Sequence, residues 1–258
     1  MNKLLRTVAT MAVGLAGVVS GSCANAGAIF LIGSDVIGLH GDSNYINPVM
    51  NQLGGTGKIL FLNDYSRSSL PNYTAGAVTF DFKPFSFLTS SVNLSSYSAI
   101  YADSPGSCCS DPGAGLAASG GGAKIASFVT AGGSLGVGDY QGNAFWNAAL
   151  GFAGLPGVTS GVSGVLCEDP GVSTASGLAF GFNASYSEGC FVHQTYNPAF
   201  WASKGYFALQ TDGANGRFKG DWVTMASGFR EPGTVPEPTS LALIGIAIAG
   251  LAVSRRRQ

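Results

Sequence analysis

Charge is what this sequence has least of. Only 10% of its 258 residues are Asp, Glu, Lys or Arg, and there are two histidines, His40 and His193. A chain so poor in Lys and Arg has no basic stripe for nucleic acid, so nucleic acid is excluded as a partner. Histidines so few and so far apart exclude a histidine-rich metal site. The spacings that build zinc sites are also missing: there is no CxxC pair, and the histidine nearest the cysteines is His193. No metal and no cofactor is expected. Internal repeats of the solenoid kind are absent, which removes β-helices and other stacked arrays. Disorder is excluded from the other side, because low charge here accompanies 46% hydrophobic residues.

The two ends of the chain carry the strongest signals. At the front, Lys3 and Arg6 form a positive region, Val8 to Val19 an apolar one, and Ala24-Asn25-Ala26 a small-x-small cleavage site. This is the pattern of a signal peptide, residues 1–26, cut after Ala26 by signal peptidase. Cys23 would suit a lipoprotein signal, but Ser20 stands where such signals take a branched apolar residue.

At the other end, residues 233–258 hold three features in order. Pro236-Glu237-Pro238 is an extended tripeptide, because proline lacks a donor and restrains its predecessor. Leu241 to Val253 has no charged or strongly polar side chain, and Arg255, Arg256 and Arg257 follow. The apolar run is shorter than the roughly 20 residues that usually cross a bilayer. Snorkelling arginines and an interfacial Thr239 and Ser240 let it serve as a transmembrane helix. The positive-inside rule then keeps the arginines cytoplasmic and the body outside.

This order resembles the PEP-CTERM sorting tail of Gram-negative bacteria. The resemblance implies processing by an exosortase near the PEP motif, and a protein held at the inner membrane before release to the envelope or exterior. It also leaves extracellular polysaccharide open as a partner, since such proteins are typical of strains that make a matrix. An ordinary C-terminal anchor is the plainer alternative.

Between the ends lies a body, residues 27–232, expected to be one exported domain of about 205 residues. Without the signal and tail it keeps eight basic residues against thirteen acidic ones, or fourteen with Glu237. The body is therefore acidic. Of five cysteines, Cys108, Cys109, Cys167 and Cys190 remain after processing. An even number in an exported chain predicts disulfides. Adjacent Cys108 and Cys109 bond each other poorly, so either each reaches Cys167 or Cys190, or Cys167 joins Cys190 and the neighbours stay reduced.

The pattern predicts α/β: a mainly parallel sheet flanked by helices, with a β-rich C-terminal part. Gly27 to Gly33, Lys58 to Leu62, Ala77 to Phe82, Ser98 to Tyr101 and Ser134 to Gly138 read as strands. Their ends lead to Asp35, Asn63-Asp64, Asp103 and Asp139. Helices are expected at 44–53, capped by Ser43 with Pro48 near the first turn, at 123–130, and at 143–150, with a short helical turn at 94–97. Residues 107–122 read as loop by composition. Further on, 162–167, 178–182, 190–193, 205–209 and 222–226 read as strands. Asp212-Gly213-Ala214-Asn215-Gly216 reads as the turn of a closing hairpin rather than a calcium loop with Asp221, because no bidentate Glu follows. Gly54 to Lys58 lacks the spacing of a phosphate loop and suits a helix-to-strand turn.

The segments GAIFLIG, SAIYADSP and FVTAGGSLGVGDY resemble glutamine-amidotransferase-like and flavodoxin-like Rossmannoid domains. Catalytic members carry a cysteine in a Gly-x-Cys-x-Gly elbow; this chain has Ala102-Asp103-Ser104-Pro105-Gly106. The resemblance thus implies architecture without the nucleophile. Ser104, Asp169 and His193 do follow the serine, acid, histidine order of α/β-hydrolases, which makes an envelope serine hydrolase the alternative. Against it, Pro105 continues a loop where an elbow needs a helix. Aromatics at Phe145, Trp146, Phe200, Trp201 and Trp222 suit core packing better than a sugar-stacking face. The body is expected to have no catalytic residues.

Overall fold

The computed structural model describes residues 27–64, 66–103, 113–138, 162–168, 171–186, 192–217 and 219–228, with backbone alone at 39–40 and 162–168. The expected helix at 143–150, and both the signal and tail helices, lie outside these residues.

Five parallel strands make the first half: β1 (Ile29–Ile32), β2 (Lys58–Leu62), β3 (Thr79–Lys83), β4 (Ala99–Asp103) and β5 (Ser134–Gly138). They lie in the order β3-β2-β4-β5-β1. The second half adds β6 (Val162–Glu168), β7 (Gly171–Ser173), β8 (Ser185–Tyr186), β9 (Val192–Tyr196), β10 (Phe207–Thr211) and β11 (Trp222–Ser227). These pair antiparallel, and β11 runs against β1 with Ile29 opposite Ser227. One mixed sheet of 11 strands results among the described residues.

Alternation along each strand decides which face receives which helix. Phe30 and Ile32 with Ile59, Phe61 and Tyr101 pack under α1 (Ser43–Gly54), through Tyr45, Ile46, Val49, Met50 and Leu53. Leu31, Leu60, Leu62, Ile100, Leu135 and Val137 face the other way, against Leu116 of α2 (Gly113–Ser119) and Ile125 and Val129 of α3 (Gly121–Thr130). A strand buried on both faces must be apolar throughout, which explains IFLI and KILFL. Each such side chain contributes about 1.5–3 kcal/mol on burial.

Several expectations need correction. Asp42, not Ser43, caps α1, accepting from the Asn44 amide at 2.8 Å. Pro48 falls in the second turn, where it withholds the donor that the Asn44 carbonyl would use. Residues 94–97 form a hydrogen-bonded turn, Tyr97 N to Leu94 O, and no helix. Within 107–122, expected as loop, Gly113–Ser119 is helical, because Leu116 finds a core to fill. The expected strand at 178–182 is instead α4 (Ala175–Phe180), whose Thr174 cap accepts from Gly177 N. A further helix, α5 (Pro198–Ala202), is capped by Asn197. The 212–216 turn does close the hairpin of β10 and β11.

Candidate functional site

In open α/β sheets the place to look is the carboxyl ends of the strands, where helices diverge to opposite faces. Here α1 covers one face and α2 and α3 the other, and β1, β2, β4 and β5 end together between them. Gly33 closes β1. A Cβ there would lie 1.9 Å from the carbonyl oxygen of Gln194, so only glycine lets β9 come this close. The Gly33 carbonyl accepts from the amides of His193 and Gln194 at 2.8 and 2.9 Å. That contact brings the His193 imidazole to the turn after β1, where its Nε2 lies 3.0 Å from Asp35 Oδ1.

A second pair forms beside it. Asp103, the last residue of β4, has its carboxylate against Gly38, where a Cβ would be 2.1 Å from Oδ1. Gly38 belongs to a single π-helical turn, Val36–His40, which Gly41 ends with φ of 68°. Arg67 comes from the loop after β2, positioned by its own amide donating to Asn63 Oδ1 at 2.9 Å. Its Nη2 donates to the Gly38 carbonyl, and its Nε lies 3.7 Å from Asp103 Oδ2. Tyr101 lies under this cluster with its ring over Gly136 and its hydroxyl at Gly138, where any Cβ would collide. Burial first, then the Asp103 charge, raises its pKa well above the usual phenol value.

Asp35, Asp103 and His193 are almost fully buried, their side chains at most 3% exposed. Four charged or ionisable groups therefore meet in two pairs, three of them buried and Arg67 partly exposed. Such pairs lock loops in place.

Of the residues singled out in sequence, His193 enters this cluster together with the strand-end acids Asp35 and Asp103. Ser104, Asp169, Cys108, Cys109 and Cys190 lie outside the described residues, as do Ala24, Ala26, Pro236, Glu237, Pro238 and Arg255 to Arg257; Cys167 is described only as backbone of β6. Asp212 turns its carboxylate inward, accepting from Gly220 N at 2.8 Å and packing against Gly216, as a turn residue does. Trp201 is fully buried in the core, with Phe200 and Trp222 packed against it, while Phe145 and Trp146 lie outside the described residues. Among the described residues no group of three or more His, Cys, Asp and Glu gathers as a metal site, and no helix is long and apolar enough to cross a membrane. Arg67 and Tyr101 carried no sequence signal. Asp35 and Asp103 had one: each acid stands at the end of an apolar strand.

Residues 234–257 match the family model of the PEP-CTERM protein-sorting motif. The chain ends in a sorting signal. That motif implies an exported protein processed by an exosortase and anchored through its C-terminus. No curated protein and no solved structure matches the chain.

Proposed function

We propose that this is a protein of the cell envelope or extracellular matrix whose α/β body is non-catalytic and associates with extracellular polysaccharide. The sorting motif at residues 234–257 carries the reading. The strand-end cluster supports it, since the groups an α/β enzyme would present to substrate are here engaged with one another. A serine hydrolase using Ser104, Asp169 and His193 is the competing reading. Against it weighs Pro105, which continues the loop where a nucleophile elbow needs a helix.

The test is fractionation of the native host expressing the wild type or a variant carrying Pro236→Ala and Pro238→Ala. Wild type is expected in the envelope or medium without its tail, and the variant in the inner membrane with it. Equal distribution and identical tails would contradict the proposal. An esterase activity abolished by Ser104→Ala would replace the non-catalytic reading with the hydrolase.

A further inference from the structure

At the opposite end of the strands, where β4 and β5 begin, a groove of about 550 Å³ runs between the 93–98 loop and the last turn of α3. That volume is within the range of small-ligand sites, about 300–1,000 Å³. Two aromatic rings line it, and both are fixed. Tyr97 donates its hydroxyl to Asp81 Oδ2 at 2.6 Å. Phe128 lies flat on the turn before β5, where a Cβ on Gly133 would be 2.3 Å from its ring. Both rings pack against the core and are half-buried. Around them stand Asn93 and Ser95, neutral groups that donate and accept hydrogen bonds, and Ser98, whose hydroxyl donates to the Gly54 carbonyl at 3.0 Å. Lys124 precedes Phe128 by one helical turn, so the two share a face of α3 and a wall of the groove.

The charge there is of one sign. Asp81 is paired with Lys83 at 3.2 Å and with Tyr97, whereas Lys124 forms no ion pair among the described residues. Lys58, outside the lining, sets its ammonium 5.9 Å from the Tyr97 ring centre. An acidic body thus presents a basic, aromatic, hydroxyl-rich groove. Apolar faces of sugar rings stack on aromatics, their hydroxyls match amide and serine groups, and an unpaired ammonium favours a carboxylate.

We propose that this groove binds an acidic saccharide unit, one bearing a carboxylate as a uronic acid does, with Phe128 and Tyr97 as the platform and Lys124 as the anion contact. The proposal rests on the polysaccharide association inferred above and gives it a place on the molecule. Titration calorimetry of the full chain in detergent, with oligogalacturonate and with neutral malto-oligosaccharide as probes, tests it. Wild type is expected to bind oligogalacturonate, Lys124→Glu to weaken binding at least tenfold at unchanged melting temperature, and Phe128→Ala to weaken it similarly. Oligogalacturonate binding left intact by both variants would overturn the groove while sparing the polysaccharide reading. Equal affinity for the neutral probe would overturn the acidic class, and binding of neither probe would remove both proposals.

Discussion

The Asp35–His193 contact is held by two nearly inaccessible side chains. Removing one member of a buried pair takes a close partner from the other, at a cost of up to about 3–5 kcal/mol. His193→Ala should lower stability by that amount in urea unfolding; a loss below about 1 kcal/mol would mean that the pair matters little. Tyr101 gives the opposite case. Its hydroxyl is buried with no hydrogen-bond partner among the described residues, and an unsatisfied buried group costs about 1–3 kcal/mol. Tyr101→Phe should therefore raise the unfolding midpoint, and a marked drop would show that the hydroxyl is bonded after all. Neither residue's role was legible in sequence. The Gly33 approach that joins His193 to Asp35 links positions about 160 apart, and local periodicity carries no information about such contacts.

Among the elements, α1 shows how far pattern reading reaches. The stripe Ile46, Val49, Met50 and Leu53 fixed its existence and buried face, and all four are in the core. Its cap was misplaced by one residue, since Asp42 and Ser43 are both good caps and only geometry chooses between them. Asp42→Ala should cost about 0.5–2 kcal/mol, measured by chemical denaturation, and Ser43→Ala much less. Strands with continuous apolar runs were readable for the same reason, because burial on both faces leaves no polar position. The short helices α2, α4 and α5 were not. A helix of two turns or fewer has too little periodicity to separate it from loop or strand, and tertiary packing of Leu116 or Trp201 decides.

Taken whole, the molecule buries several tyrosines whose pKa values burial pushes upward, Tyr45, Tyr101 and Tyr206 most strongly. Each stays neutral in the fold and ionises near its ordinary value, about 10, once unfolded. The unfolded state thus loses these protons first as pH rises, so the tyrosines' contribution to stability is flat below about pH 10 and falls above it. Tyrosinate absorbance and far-UV dichroism, followed together from neutral to strongly alkaline pH, should show these tyrosines ionising only as the fold is lost. Ionisation that runs ahead of unfolding would contradict their burial. The α/β architecture of the body and the tail motif were both readable from the chain; the strand-end cluster and the basic groove needed the fold.

Export with processing at both ends can be read from the intact mass of the mature protein from its native host, before and after reduction. Expected are a start at Gly27, a C-terminus near Pro238, and a gain on reduction of two hydrogens for each of two disulfides among Cys108, Cys109, Cys167 and Cys190. A mature chain that keeps its full tail and gains nothing on reduction would contradict it.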